Sequence, residues 1–526
     1  MKVLVSDPLS DVGVKILQEA PGIDADVNTG LSPEELKGII GGYEGLAVRS
    51  ATRVTPDVIS AAHRLKVIGR AGIGLDNVDI PAASQRGIVV MNTPEGNTIT
   101  TAEHTIAMIL ALSRNIPQAT AYLKEGKWEK KKLKGRELFN KTLGLIGVGH
   151  IGRIVADRAR GMKMKVIIYD PYIKPEAIER LDLEPVSFEE MLSRADYLTI
   201  HTPKTDETTN IIDREAMAKM KKGAMVINCA RGGIVNEEDL YDALKSGHLG
   251  GAACDVFSAE PPGKIKLMSL PNFICTPHLG ASTTEAQDNV AKDVAEQIVA
   301  YLLHGTVKNA INVPSISGEL MNTLRPYVTL AERMGLMQSQ LADSAILEAH
   351  VNYSGTVTEY DVSPLTTAVL KGLLTPILKD AVNFVNAPYI AADRGIKVVE
   401  SKSRTAEDFI NLIKLTVKTL EGENIISGTI FAKKLPRILR INNFYLEAIP
   451  EGHNLLLYNQ DSPGVIGKIA TTLGKHGINI SRMKVGEEKE QSRNVIFLST
   501  SSAVSDEVLE ELRGLSYVFS TRRIEL

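Results

Sequence analysis

The stretch from Lys141 to Pro171, KTLGLIGVGHIGRIVADRARGMKMKVIIYDP, constrains the fold more than any other part of the chain. Residues 142–146 form an apolar run with no polar alternation, as expected of a parallel strand buried on both faces. Gly147-Val148-Gly149-His150-Ile151-Gly152 follows at once. A helical pattern then runs through Ile154, Val155 and Ala159, and a second apolar run, 165–169, ends at Asp170. Each glycine has a task. Gly147 permits the tight turn, Gly149 lets the backbone approach a pyrophosphate, and Gly152 lets helix and strand pack closely. A pyrophosphate would then sit on free N–H groups at the positive end of a helix dipole. Asp170 lies eighteen residues past Gly152, where a carboxylate hydrogen-bonds ribose hydroxyls and repels a 2′-phosphate. A glycine turn alone is weak evidence. Here the strand before, the helix after and the acid beyond agree on a dinucleotide site, with NAD favoured over NADP.

At 526 residues the chain is too long for one core, and three or four domains are expected. A net charge of −3 gives no global electrostatic reason to expect nucleic acid or an anionic membrane. No apolar run approaches the roughly 18 residues of a membrane span, and Met1-Lys2-Val3-Leu4-Val5 opens like a strand rather than a signal peptide. Cys229, Cys254 and Cys275 form no CxxC pair. Each sits in an apolar segment, so buried free thiols in a reducing cytoplasm are expected, with no metal.

Strand patterns at 3–6, 45–49, 67–69 and 89–91 alternate with helical ones at 10–19 and 56–62, giving a small α/β unit over 1–97. Arg49 and Arg70 end two of its strands, where open parallel sheets bind ligands, and suit a small anionic substrate. A helix over 100–115, capped near 98–100 with Glu103 in its first turn, crosses to the dinucleotide unit. The only tryptophan, Trp128, precedes Lys130, Lys131 and Lys132. That run is either a solvated face or an anion-facing arm. Beyond Asp170, strands at 197–201, 224–228, 251–256 and 272–276 alternate with helices at 187–193, 214–220 and 237–246, completing a doubly wound sheet. A helix over 284–303 leads back to the first unit. The expected domains are therefore 1–97 with 284–306, and 98–283. A linker spans 306–316, a mixed α/β domain 317–450, and a βαββαβ ferredoxin-like domain 453–526. Within 317–450, residues 365–384 read as helix and 425–431 and 438–441 as strands.

Hydride exchange between NAD and a hydroxy acid needs a group for the hydroxyl proton, a cation for the carboxylate, and a partner that tunes the base. His278 ends the last strand of the doubly wound sheet, and Glu260 lies beyond another strand end and can orient it. Arg231 offers a bidentate fork. His150, inside the phosphate turn, and His201, ending a mid-sheet strand, suit cofactor-facing or packing roles.

The segments GLIGVGHIG, NCARGG, DVFSAEPP and TPHLGAST resemble the NAD-dependent D-2-hydroxyacid dehydrogenases. AVRSATRVT, VIGRAGIGLDNVD and NTPEGNTITTAEHT are similar to the branch that oxidises 3-phospho-D-glycerate at the head of L-serine synthesis. YNQDSPGVIGKI with GINIS resembles the ACT fold, which binds amino-acid effectors, and the length matches the form with an intervening domain. The resemblance implies that Arg231 binds and polarises substrate, Glu260 supports the histidine, and His278 is the acid/base. It implies cofactor contacts at His150, Ile151, Asp170, Thr202, Cys229, Ala230, Arg231, Asp255, His278 and Gly280. Substrate would be faced by Arg49, Arg70 and Asn97, and an L-serine effector by Asn459, Asp461 and Asn479. ACT domains commonly pair, so a homodimer or homotetramer is expected. Another hydroxyacid dehydrogenase, or a dinucleotide-sensing regulator, are the alternatives.

Overall fold

Four sheets carry the chain in the computed structural model, which describes residues 1–313, 318–406, 408–488 and 493–526. The first has β1 (Lys2–Val5), β2 (Asp24–Val27), β3 (Gly45–Val48), β4 (Val67–Arg70) and β5 (Val89–Asn92) in the spatial order β2-β1-β3-β4-β5, all parallel. The central strand β3 and the edge strand β5 are buried throughout, as a parallel sheet covered on both faces requires. The Thr284–His304 helix contributes Val290, Val294, Ala295 and Ile298 to this sheet's core, as its return toward the first unit predicts. The sequence reading did not find β2 or the helices Pro33–Ile39 and Ile80–Gln85. The first is an edge strand with alternating acids, too polar for an apolar-run criterion. Pro33–Ile39 did carry a legible signal, a capping box between Ser32 and Glu35.

The second sheet has β6 (Thr142–Ile146), β7 (Lys165–Tyr169), β8 (Glu184–Pro185), β9 (Tyr197–Ile200), β10 (Met225–Asn228), β11 (Gly251–Cys254) and β12 (Phe273–Cys275). Its order is β12-β11-β10-β9-β6-β7-β8, all parallel. Chain order reverses between β6 and β9, which opens the crevice where such sheets take ligands. The crossing helix runs Thr98–Ser113 with Asn97 at its N-cap, but no side chain caps it. The expected threonine cap is absent because the helix starts earlier, at Thr98, which puts the threonines inside it. The Thr100 hydroxyl meets that of Thr283, 3.1 Å away, joining the starts of the two helices that link the sheets. Trp128 and Lys130–Lys132 lie exposed, and Lys132 pairs with Glu129. Cys229 and Cys254 are buried, but Cys275 is exposed, contrary to expectation. It ends β12, an edge strand with a neighbour on one side only.

Residues 306–313 are not a free linker. Ile311 N–H donates to Val90 O (2.9 Å), and Asn312 accepts from Val90 N–H while donating to Ile88 O (2.9 and 2.8 Å). An open sheet edge offers unpaired backbone groups, and this segment takes those of β5. The remainder of the expected linker, 314–316, and Ser317 lie outside the described residues. The third sheet has β13 (Ile346–Gly355), β14 (Lys397–Ser403), β15 (Asn411–Thr419), β16 (Glu423–Phe431), β17 (Leu435–Ile441) and β18 (Phe444–Ala448). It is mixed, in the order β14-β13-β15-β16-β17-β18, with helices Gly318–Leu341 and Ser363–Leu378 against it. The second helix ends before the expected residue 384, since Pro376 lies in its last turn and Lys379 turns left-handed (φ 51°).

The last sheet, β19 (His453–Gln460), β20 (Ile480–Glu488), β21 (Arg493–Thr500) and β22 (Val518–Glu525), is antiparallel in the order β20-β21-β19-β22. With helices Val465–Lys475 and Asp506–Arg513 it has the predicted βαββαβ order. One face carries its helices. The other sends Leu456, Val495, Phe497 and Ile524 into the core of the preceding sheet. Among the described residues no helix is long and apolar enough to cross a membrane, and no cluster of His, Cys, Asp or Glu could hold a metal ion.

Candidate active site

The turn after β6 has the shape its glycines imply. Gly147 is at φ +86°, and a Cβ there would lie 2.7 Å from both His201 O and Thr202 Cγ2. A Cβ on Gly149 would meet nothing within 4 Å, so open space lies over the backbone there. A Cβ on Gly152 would strike Gly147 O. The His150–Gly161 helix starts behind this turn, with Gly149 at its N-cap and no side-chain acceptor on its first N–H groups. His150 is exposed and Ile151 half-buried beside that opening. Asp170, at the end of β7, accepts from Val148 N–H and Tyr172 N–H (both 3.0 Å), which pins the turn to the second strand.

Across the switch point His201 and Thr202 end β9. Burial lowers the His201 pKa to about 3, so the imidazole is neutral at physiological pH and is no general acid. Its Nδ1 and the Thr202 hydroxyl are buried without a partner, an arrangement that suits a polar ligand over the turn. NAD fits this cradle: a backbone opening for phosphate, orphaned polar atoms beside it, and a carboxylate at the ribose position.

Three strand ends converge on one rim. After β10, Asn228 accepts from Ala230 N–H and donates to Arg231 O, fixing the loop that holds Cys229, Ala230 and Arg231. Cys229 is buried, which pushes its thiol up to about 12 and leaves it unreactive. After β11, Asp255 is wholly buried. Its Oδ1 accepts from the Thr276 hydroxyl (2.5 Å) and Leu279 N–H (2.7 Å), and its Oδ2 from Gly280 N–H (2.8 Å). His104 lies 3.2 Å from Oδ1. Burial alone would raise the Asp255 pKa, but the bonds from His104, Thr276, Leu279 and Gly280 outweigh it and hold the group below its ordinary value. Asp255 thus shapes the loop after β12, and its backbone O takes His278 N–H at 2.9 Å.

His278 sits in that loop with φ +55°, and its Nδ1 is 2.7 Å from Glu260 Oε2. Glu260 Oε1 accepts from Phe257 N–H (3.1 Å). With Glu260 ionised, the Nδ1 proton points at the carboxylate and Nε2 carries the free lone pair.

The first sheet meets this rim through its own strand ends. Arg49 N–H donates to buried Asp7 (2.6 Å), and Arg49 Nη1 to Pro8 O (3.0 Å). Arg70 is largely enclosed, and its Nε has no partner. Burial lowers its pKa to about 10, helped by the nearby Arg231 and Arg49 cations, so it stays charged at neutral pH. Asn97 leaves a buried amide oxygen unpaired. Asp76, to which the sequence reading gave no role, bridges the sheets through Arg231 Nε at 3.2 Å. Of the two acids in the loop after β4, Asp79 caps the next helix, which leaves Asp76 beside the glycines as the one that could have been singled out. His104 and Thr276 were missed too, because nothing local marks a residue that braces a loop from another element.

In the last domain the three expected effector residues do not meet. Asn459 is 1% exposed, its amide donates to Gln460 O, and it faces the helices. Asp461 is exposed and accepts from Asn494 Nδ2 at 2.9 Å. Asn479 is exposed at the far end of the Val465–Lys475 helix, which at 1.5 Å per residue separates it from Asp461 by roughly 16 Å.

Comparison with known proteins agrees with this arrangement. Residues 106–280 match the D-isomer specific 2-hydroxyacid dehydrogenase NAD binding domain, 323–442 the D-3-phosphoglycerate dehydrogenase intervening domain, and 453–516 the ACT domain. A D-3-phosphoglycerate dehydrogenase of Methanocaldococcus jannaschii is 44% identical, with all of this chain and all of that protein covered. One from Synechocystis is 43% identical over all of this chain and 95% of its own length. The chain belongs to the D-3-phosphoglycerate dehydrogenase family. Members of this family are NAD-dependent oxidoreductases built on the D-2-hydroxyacid dehydrogenase fold. An NAD-dependent formate dehydrogenase of Staphylococcus aureus, solved with NAD, shares 30% identity with this family member. It has a TM-score of 0.54 and covers 59% of this chain and 99% of its own.

Proposed function

We infer that the chain oxidises 3-phospho-D-glycerate to 3-phosphooxypyruvate with NAD, the first step of L-serine synthesis by the phosphorylated route. The observation that carries the site assignment is the convergence of His278–Glu260 with Arg231, Arg70 and Arg49 beside an open dinucleotide turn. When bound, NAD supplies the acceptor for the C2 hydride. His278 Nε2 takes the C2 hydroxyl proton, and the adjacent Glu260 carboxylate stabilises the imidazolium that results. Arg231 holds the substrate carboxylate and polarises the developing C2 carbonyl. Arg49 and Arg70 receive the phosphate. Asn97 offers its unpaired amide oxygen to a substrate hydroxyl. Units 1–97 with 284–306 and 98–283 form the two walls of the cleft. The assay is NADH absorbance on mixing with NAD and 3-phospho-D-glycerate, with 3-phosphooxypyruvate identified as product. No NADH with this substrate would refute the reading.

The same reading makes the ACT domain an L-serine sensor. Gly464 leaves the first N–H groups of the Val465–Lys475 helix without a side-chain cap, which suits a carboxylate, and Asp461 suits an ammonium. Asp461 and Asn479 stand at opposite ends of that helix, so a site uniting them takes one residue from each of two paired copies in a homodimer or homotetramer. A path toward the cleft exists within one chain. Gln340 exchanges two 2.9 Å hydrogen bonds with the Glu525 backbone, and Asn383 donates to Gly87 O (2.8 Å) beside β5. From β5, Asn92 donates to Ile73 O (2.7 Å) in the loop of Arg70 and Asp76.

A further inference from the structure

We propose that Asp76 is a positioning residue for Arg231: reaching across the cleft, it holds the Nε edge of the guanidinium and leaves the Nη edge to the substrate carboxylate. This rests on the assignment of Arg231 to substrate. The two residues come from different sheets, Asp76 from the loop after β4 and Arg231 from the loop after β10, and meet at 3.2 Å. Arg231 Nη1 also donates to Ala230 O (2.8 Å). A guanidinium has five N–H donors, so the remainder, all on the Nη nitrogens, are free for a ligand. Gly74 lies directly under Nη2, and any Cβ there would collide with it. The fork is therefore held at one edge by Asp76, backed by glycine below and open at the other edge.

The charges around it give Asp76 a second task. Arg49 and Arg231 each act on Arg70, and two carboxylates oppose them there, the buried Asp7 and the exposed Asp76. Without Asp76, only the substrate and Asp7, which is buried beneath Arg49 and accepts from its N–H, would balance three cations. The substrate would then be drawn in at least as strongly, while Arg231 would lose the partner that sets its plane. An ion pair with its acid 73% exposed contributes little to folding. The effect should be kinetic and should fall on turnover rather than on binding.

The test is Asp76→Asn in the full-length protein, alone and combined with Arg231→Lys, assayed with 3-phospho-D-glycerate and NAD. A fall in kcat of about 10- to 100-fold, the scale of a misplaced catalytic group, with apparent KM unchanged or lower and melting temperature unchanged, supports the proposal. So does a kcat loss from Asp76→Asn in the Arg231→Lys background of under about twofold, because lysine has no Nε edge to hold. A kcat within about twofold of wild type, a raised KM at constant kcat, a lowered melting temperature, or equal losses in both backgrounds overturns it. Arg231→Lys by itself checks the underlying assignment. Wild-type kinetics there would refute the role of Arg231, whereas an impaired Arg231→Lys beside a normal Asp76→Asn would refute only the role of Asp76.

Discussion

Glu260 and His278 meet at 2.7 Å although they come from different strand ends, and His278 holds a left-handed backbone (φ +55°) to make that contact. A non-glycine residue there costs free energy, so the surroundings must determine it. They do so through Asp255, whose buried carboxylate and backbone O gather Thr276, His278, Leu279 and Gly280 into one loop.

His278→Ala should lower turnover by about two to four orders of magnitude, with NADH affinity nearly intact by fluorescence titration. Glu260→Gln should slow the reaction and shift the pH dependence of kcat/KM, because the imidazolium loses its charged partner. Near-normal turnover in the first, or an unmoved profile in the second, would remove that residue from proton transfer.

Asp170→Ala should narrow the preference for NAD over NADP mainly by weakening NAD, since the 2′-phosphate loses a repelling carboxylate and the ribose loses an acceptor. The loss of the Val148 bond loosens the turn as well. Steady-state KM values for both cofactors report this. Equal use of NADP by the wild type would contradict it.

The dinucleotide unit was legible because each signal there is local: apolar runs for buried parallel strands, glycines at 147 and 152 where a Cβ has no room, and an acid at a fixed spacing. Arg231, Glu260 and His278 could be placed on one rim because strands of one parallel sheet share an end. What was not legible depends on contacts between elements. Asp76 meets Arg231 only once two sheets face each other. The 306–313 stretch has a loop's composition, and its pairing with β5 follows from an edge that the sequence does not display. Cys275 looks buried in an apolar segment, yet it ends an edge strand. The joint core of the last two sheets was not read from the sequence, because the apolar run Leu455–Tyr458 in β19 does not say what covers its second face.

His201 gives a pH prediction. Its folded pKa is depressed to about 3 by burial, below the ordinary value of about 6.5. Between those values the unfolded chain binds a proton that the folded chain does not. Stability should therefore fall as pH drops from about 6.5 toward 3 and be insensitive to this group above that window. His201→Asn should flatten this part of the melting-temperature profile. Parallel profiles for the two proteins would contradict the assignment.

Asp461→Ala should abolish L-serine binding measured by calorimetry while leaving uninhibited catalysis unchanged, because the residue lies in the last domain, far along the chain from the cleft. Wild-type heat in the variant, or none in the wild type at millimolar serine, would leave the ACT domain as an assembly element.

The most direct test is the ratio of kcat/KM for 3-phospho-D-glycerate to that for D-glycerate, measured in the wild type, Arg49→Ala and Arg70→Ala. Each charge-assisted hydrogen bond to phosphate contributes on the order of 1.5–3 kcal/mol. The wild-type ratio should accordingly exceed about a hundredfold, and each substitution should reduce it about tenfold or more by acting on the phosphorylated substrate alone. A wild-type ratio near unity, or equal losses for both substrates, would mean that these arginines do not read the phosphate.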